Sequence, residues 1–333
     1  MSEPVAVIIG DIHFTVNTLD LATKALQQAI DAAEKLNVPL VMNGDTLDSK
    51  AIVRAECMNR IISLVQNSNA QIYVNIGNHD RINEKSQEHS LNFIKSYAYV
   101  INRPMYIKEI NSYIIPYHSD LDALQTCISG LSEGSRLIMH QGLIGADMGH
   151  YVQDKTSLDQ SLFANFRVIA SHYHKAQDIK TGRPRKNAVG LWSYIGNPYS
   201  LTFGEAGDGP KGFAVLMSDG LLEHIATNLR KHVVINATTK ELKNIAPQPG
   251  DLVWLKVTGP TSELNKLDKV ELAKRLRVSE FKLDKVYSDA VVSFATKEKL
   301  TNEQLFDTII EATDEPQAEK DYLKQLWREI LTQ

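Results

Sequence analysis

Short apolar runs punctuate the first two thirds of the chain, and most give way abruptly to polar residues. Runs at 5–9, 39–43 and 72–76 read as buried strands. Between them, 18–36 places Leu19, Ala22, Leu26, Ile30 and Ala33 at helical spacing, and 51–66 reads as a second helix. This βαβαβ rhythm predicts parallel strands joined by right-handed crossovers. From Tyr106 onward, strands at 112–116, 136–139, 167–170, 191–195, 212–217 and 221–225 come with fewer helices between them. A mixed α/β core of two sheets fits that change better than one doubly wound sheet.

Near Asn228 the texture shifts. A strand at 252–257, a lysine-rich helical stretch at 263–276 and a return to strand at 285–295 predict a small α+β domain. Two amphipathic helices follow at 301–311 and 317–331, broken at Pro316. Leu305 and Ile309 form one apolar stripe; Leu323, Leu326, Trp327 and Ile330 form another. The expected division is therefore 1–228, 229–298 and 299–333.

The polar residues that end the apolar runs carry the chemistry. In order they are Gly10-Asp11-Ile12-His13, Gly44-Asp45-Thr46-Leu47-Asp48, Gly77-Asn78-His79-Asp80, His140 after Leu137-Ile138-Met139, and His172-Tyr173-His174 after Val168-Ile169-Ala170. Each lies where a strand becomes a loop, and loops at the carboxyl ends of strands build the active sites of layered α/β proteins. Asp11 and His13, two apart in an extended segment, point the same way. A carboxylate such as Asp45, placed centrally, can bridge two ions. Mixed nitrogen and oxygen ligation suits Mn, Fe, Zn or Co better than the all-oxygen shells of Ca and Mg. A lone Gly-Asp is an ordinary turn, and a lone histidine at a strand end is an ordinary structural residue. Five such motifs in this order point instead to two divalent ions and to hydrolysis of a phosphate ester.

The bulk numbers add limits. The net charge of -4 gives no global basic signal for nucleic acid, but clustered metal-binding carboxylates lower the net charge, so DNA stays open as a substrate. No apolar stretch is long enough to span a bilayer, and Met1-Ser2-Glu3-Pro4 leads straight into a strand without a signal peptide. Cys57 and Cys127 are too few for a disulfide framework and fit a reducing, cytoplasmic setting.

At the five motifs the chain resembles the calcineurin-like metallophosphoesterase superfamily over residues 5–225. The resemblance implies a four-layer αββα sandwich with a dinuclear centre at one edge of the sheets. It implies Asp11, His13, Asp45 and His174 around one metal, and Asp45, Asn78, His140 and His172 around the other. His79 would be the non-ligand histidine near the scissile phosphate, oriented by Asp80. Many members have Gly before the paired histidines, where this chain has the equally small Ser171.

A second set of residues is similar to the SbcD-type branch, the nuclease subunits of double-strand-break repair complexes, including tailed-phage versions. These are Tyr194-Ile195-Gly196-Asn197-Pro198-Tyr199-Ser200, Phe203-Gly204-Glu205 and Lys211-Gly212-Phe213, with Asn197 where the branch usually has Ser. That resemblance implies manganese as the metal, DNA ends as substrate and a homodimer. It also implies a capping domain after residue 228, and C-terminal helices that grip an SbcC-type ATPase. Lys175, Lys180, Arg183, Arg185 and Lys186 form a basic stretch beside the paired histidines, readable as a solvated hairpin tip or as a phosphate-backbone contact. No Gly-rich loop ending in Gly-Lys-Ser/Thr occurs, so any ATP dependence comes from another chain. The alternatives are a stand-alone phosphoesterase for nucleotides or other small esters, and a scaffold with a vestigial metal site.

Overall fold

The computed structural model describes residues 2–83, 88–149, 152–181, 190–288, 302–311 and 316–331. The chain divides into two compact units, 1–286 and 287–333.

The first sheet takes β1 (Pro4–Ile9), β2 (Leu40–Asn43), β3 (Ile72–Asn75) and β4 (Tyr99–Ile101), all parallel. Helices α1 (Leu19–Leu36) and α2 (Ala55–Gln66) cross between the first three strands. The second sheet begins with β5 (Met105–Ile107) and β6 (Ser112–Ile115), followed by α3 (Leu121–Ser129), β7 (Arg136–His140) and β8 (Arg167–Ser171). Strands β9 (Gln177–Thr181) and β10 (Gly190–Tyr194) complete it in the order β5-β6-β7-β8-β10-β9. The chain then returns to the first sheet. β11 (Gly212–Met217) pairs antiparallel with β1, and β12 (Leu222–Ala226) forms the edge, giving β12-β11-β1-β2-β3-β4.

Strand alternation sorts the core into layers. In β1, Val7 and Ile9 face α1 and α2, while Ala6 and Ile8 face the other sheet. In β7, Ile138 faces inward; Leu137 and Met139 meet Leu124 and Ile128 of α3. The stack is the αββα sandwich that the sequence implied. Each fully buried Ile or Leu contributes roughly 1.5–3 kcal/mol by leaving water.

Polar residues cross the inter-sheet layer at one end. Asn43 Nδ2 donates to Met139 O at 2.8 Å and to Ser171 Oγ at 3.0 Å; Asn75 Nδ2 donates to Asn43 Oδ1 at 2.9 Å and to Ile115 O at 3.1 Å. Both amides are fully buried. Buried amides tolerate little displacement once paired, so this ladder fixes one sheet against the other beside the polar loops.

Some boundaries differ from the sequence expectation. The second helix starts at Ala55, not near 51, because Ala51 is left-handed (φ 61°) and Arg54 is extended. The lysine-rich stretch splits into α4 (Thr261–Leu264) and α5 (Lys269–Leu276), the latter capped by Asp268, which accepts from Glu271 N at 2.8 Å. These helices cover a three-stranded sheet of β13 (His232–Thr238), β14 (Leu252–Gly259) and β15 (Glu280–Tyr287). The last strand begins before the expected 285, because Phe281 and Leu283 alternate into the core with Val253, Leu255 and Val257. Residues 289–295 of the expected strand lie outside the described residues.

In the second unit, α6 (Asn302–Glu311) and α7 (Gln317–Leu331) stack Phe306 on Trp327, with ring centroids 4.5 Å apart. Trp327 therefore has an internal partner, while Ile309, Tyr322 and Leu326 stay exposed. Among the described residues, no helix is long and apolar enough to cross a membrane.

Candidate metal centre

The five polar motifs meet at one edge of the sandwich, each at the carboxyl end of a parallel strand. β1 delivers Asp11 and His13, β2 delivers Asp45, and β3 delivers Asn78 and His79. From the other sheet, β7 ends on His140, and β8 leads into His172 and His174. The loops turn sharply: Asp11, His13, Asp45 and His172 all have left-handed backbones (φ 50°, 48°, 47° and 108°). Strained backbone in non-glycine residues gathers where function over-determines the geometry. Two glycines permit the crowding. A Cβ on Gly44 would stand 2.2 Å from His140 Nδ1, and one on Gly77 would stand 2.1 Å from Asp45 Oδ1.

Two sets of donor atoms result. Asp11, His13 and His174 offer ligand atoms within 4.8 Å of one another, and so do Asp45, His140 and His172. Asn78 Oδ1 lies 2.9 Å from His172 Nδ1 and 3.1 Å from His140 Nε2, beside the second set. Asp45 stands between them, with Oδ2 at 3.2 Å from His140 Nε2 and 3.8 Å from His13 Nε2. In the first set, His13 Nε2 and His174 Nε2 face each other at 3.2 Å. His13 Nδ1 is buried without a hydrogen bond, Asp48 Oδ1 being 3.5 Å away. Imidazole nitrogens aimed at one another among buried carboxylates fit cations placed between them. Asp11, His13, Asp45 and His140 are buried, whereas Asn78, His79, His172 and His174 are partly open, so a substrate reaches the centre from their side.

Outer contacts fix the histidine tautomers. His140 Nδ1 donates to the Asn43 carbonyl at 2.9 Å, leaving Nε2 inward. His174 Nδ1 meets Glu205 Oε1 at 2.9 Å. Burial works to raise the pKa of Glu205, but the His174 hydrogen bond and the Lys211 charge hold it down at about 2. Burial also opposes protonation of His140. The Asp45 and Asp11 carboxylates and the Asn43 carbonyl outweigh it and raise the pKa to about 9. His172 goes the other way, to about 4, through burial and the His140 charge.

Residues 5–208 match the family model described as calcineurin-like phosphoesterase, over the same stretch that supplies every donor. The chain belongs to that family. Its members use a dinuclear metal centre, and the phosphoesterase carries the donors for one. Protein 244L of Invertebrate iridescent virus 6, which carries a phosphoesterase name, is 26% identical over 213 residues, or 60% of this chain and 72% of that one. An archaeal phosphodiesterase structure aligns with 68% of this chain and 99% of its own, at 14% identity and a TM-score of 0.34. Purple acid phosphatase PPD1 from yellow lupin (Lupinus luteus) aligns with 68% of this chain at 12% identity and a TM-score of 0.42. The phosphoesterase spans about half of the lupin protein, 52% of its length.

His79 lies with its ring 5.0 Å from that of His13, edge to face. Its Nδ1 meets the Asp48 carbonyl oxygen, and its backbone N–H donates to Asp45 Oδ1 at 2.8 Å. The orienting contact thus comes from Asp48. Asp80 instead accepts from Leu47 N and Gly77 N, both at 2.9 Å, tying two ligand loops together. Its burial and the nearby Asp45 charge raise its pKa to about 6. Sequence reasoning gave no role to Asn43, Asp48 or Glu205, although the last two lie inside motifs it had singled out. Tyr117 was missed too; its ring stands 6.0 Å from His172 and 6.5 Å from His140. Of the basic stretch, Lys175 pairs with Asp147 at 2.6 Å and Lys180 is exposed on β9. Arg183, Arg185 and Lys186 lie outside the described residues.

The raised pKa of His140 has a measurable consequence. Without metal it is cationic at pH 7, and its contribution to stability is present below about 6.5 and lost as pH rises through about 9. A ligand histidine must be neutral, so metal loading at pH 7 expels this proton. Calorimetric titration with Mn2+ in buffers of different ionisation enthalpy should register about one proton more from the wild type than from His140→Ala at pH 7, the difference falling away above pH 9. The same release from His140→Ala would contradict the assignment. His172, already neutral, contributes none.

Proposed function

We propose that the phosphoesterase is a manganese-dependent nuclease acting on DNA ends, the nuclease subunit of an SbcC/SbcD-like complex. The observation that carries this reading is the segment from Asn197 to Lys211. Its residues resemble the SbcD-type steps apart from Asn197, brace His174 through Glu205, and are followed, after β11 and β12 of the first sheet, by the three-stranded sheet where that branch has its capping domain. The exposed Ile309, Tyr322 and Leu326 on the C-terminal helices fit an ATPase-docking face. A dimer of the phosphoesterase belongs to the same reading.

When bound, two divalent ions would supply positive charge at the phosphate and lower the pKa of a bound water. The chain's own residues do the rest. Asp11, His13 and His174 would hold one ion; Asn78, His140 and His172 the other; Asp45 would serve both. Asp48 holds His79 by Nδ1, so a proton passes to the leaving oxygen from Nε2. Lys180 on β9 gives the DNA backbone a positive contact.

A labelled duplex and a chromogenic phosphodiester, each with Mn2+, test the reading. Degradation of the duplex is the expected result. Hydrolysis of the small ester alone would favour a stand-alone phosphoesterase for nucleotides or similar esters, and silence on both would leave a scaffold.

A further inference from the structure

The short turn Phe203–Glu205 faces two ways. On one side Glu205 Oε1 accepts from His174 Nδ1 at 2.9 Å. Its other oxygen accepts from Asn197 Nδ2, Leu201 N and Lys211 Nζ, each at 3.1 Å. Lys211, itself buried, also donates to the His174 carbonyl at 3.0 Å and to Asp208 at 3.1 Å. Both carboxylate oxygens are thus engaged, and the ring they hold is a ligand of the Asp11–His13–His174 set.

On the other side, Phe203 sets its ring edge-on to His232 at 4.8 Å and to Trp254 at 5.9 Å, on the first two strands of the three-stranded sheet. Ser200 joins the same contact, its Oγ lying 3.0 Å from His232 Nδ1 and accepting from His232 N at 3.4 Å. Phe203 and Glu205 lie on the same short helical turn with only Gly204 between them, so one small segment carries both the contact with the sheet and the contact with His174. The second donor set is braced differently. His140 is held by the Asn43 carbonyl, and Asp45 accepts the His79 amide, both within the sandwich.

We propose that Glu205 is the positioning residue of His174, and that the Phe203–Glu205 turn makes the Asp11–His13–His174 subsite depend on the three-stranded sheet while the Asp45–His140–His172 subsite does not. A carboxylate accepting from Nδ1 keeps Nε2 free for the ion and raises its basicity. The inference rests on the metal centre and holds whichever phosphodiester is cleaved.

Single-subsite proteins separate this role from a general structural one. His140→Ala leaves the first donor set intact, and His174→Ala leaves the second. Glu205→Gln keeps the shape, but its amide cannot accept from His174 and from three other donors at once. Mn2+ affinity is read from the electron paramagnetic resonance of the free ion, with metal-free melting curves for every variant. Glu205→Gln should weaken Mn2+ binding about 10–100-fold in the His140→Ala protein and less than about two-fold in the His174→Ala protein. Phe203→Ala and Trp254→Ala should shift affinity in the same background and direction, by less. Equal losses in both backgrounds, or none in the first, overturn the role of Glu205. Failure of the His140→Ala protein to bind Mn2+ at all removes the subsite and the proposal with it. Unchanged affinity in Phe203→Ala and Trp254→Ala overturns the link to the sheet.

Discussion

Asp45→Asn is expected to abolish phosphodiester hydrolysis and to leave the protein short of at least one ion after dialysis. Asp45 Oδ2 stands 3.2 Å from His140 and 3.8 Å from His13, so one carboxylate serves two donor sets. Complete burial works to raise its pKa, but the charge and hydrogen bond of His140 hold it far below the usual carboxylate range. An amide of the same shape can still accept the His79 backbone N–H but brings no charge to either ion. The loss should exceed the ~10–100-fold typical of changing an outer-shell contact, because two coordination spheres weaken together. Metal analysis beside an activity assay decides the matter. A variant carrying two ions and cleaving normally would show that Asp45 does not bridge.

His79→Ala should cost about 10²–10⁴-fold in rate while metal content and substrate binding persist. The side chain is partly exposed on the open side of the centre and is tied down by the Asp48 carbonyl. Its ring packs on His13 but belongs to neither donor set. Removing it takes away a proton donor and leaves both donor sets in place. Single-turnover kinetics with excess Mn2+ isolates the chemical step. Lost metal in this variant would make His79 a ligand, and an unchanged rate would leave it without a role in the reaction.

The central strands were readable because both faces of β1, β2, β3, β7 and β8 are buried, which makes each a short continuous apolar run. Strands β4, β5 and β9 were not. Tyr99, Met105 and Tyr106 are exposed, as are Asp178 and Lys180 on the edge strand β9. Such segments carry little apolar signal and form because a neighbour supplies a ladder. Helix α3 is half the length of α1 and buries only Leu124 and Ile128. At the metal centre the donors were legible because each follows a strand. The bracing was not, because His140 to Asn43 and His174 to Glu205 are pairings across the fold that spacing along the chain does not encode. Asn43 and Asn75 lay within the expected strands and proved to bond across to the second sheet.

The way the strands are shared sets a timetable for synthesis. Asp45 must meet His140 and His172, and Asp11 must meet His174, so neither donor set can form from one half of the chain. The first sheet also waits for β11 to close over β1, far downstream of every donor. A chain emerging from the ribosome therefore carries Asp11, His13, Asp45, Asn78 and His79 through about the first half of its synthesis without the partners that complete either set. Contacts between residues so distant in sequence form late in folding. Neither donor set is whole until strands of both sheets lie side by side.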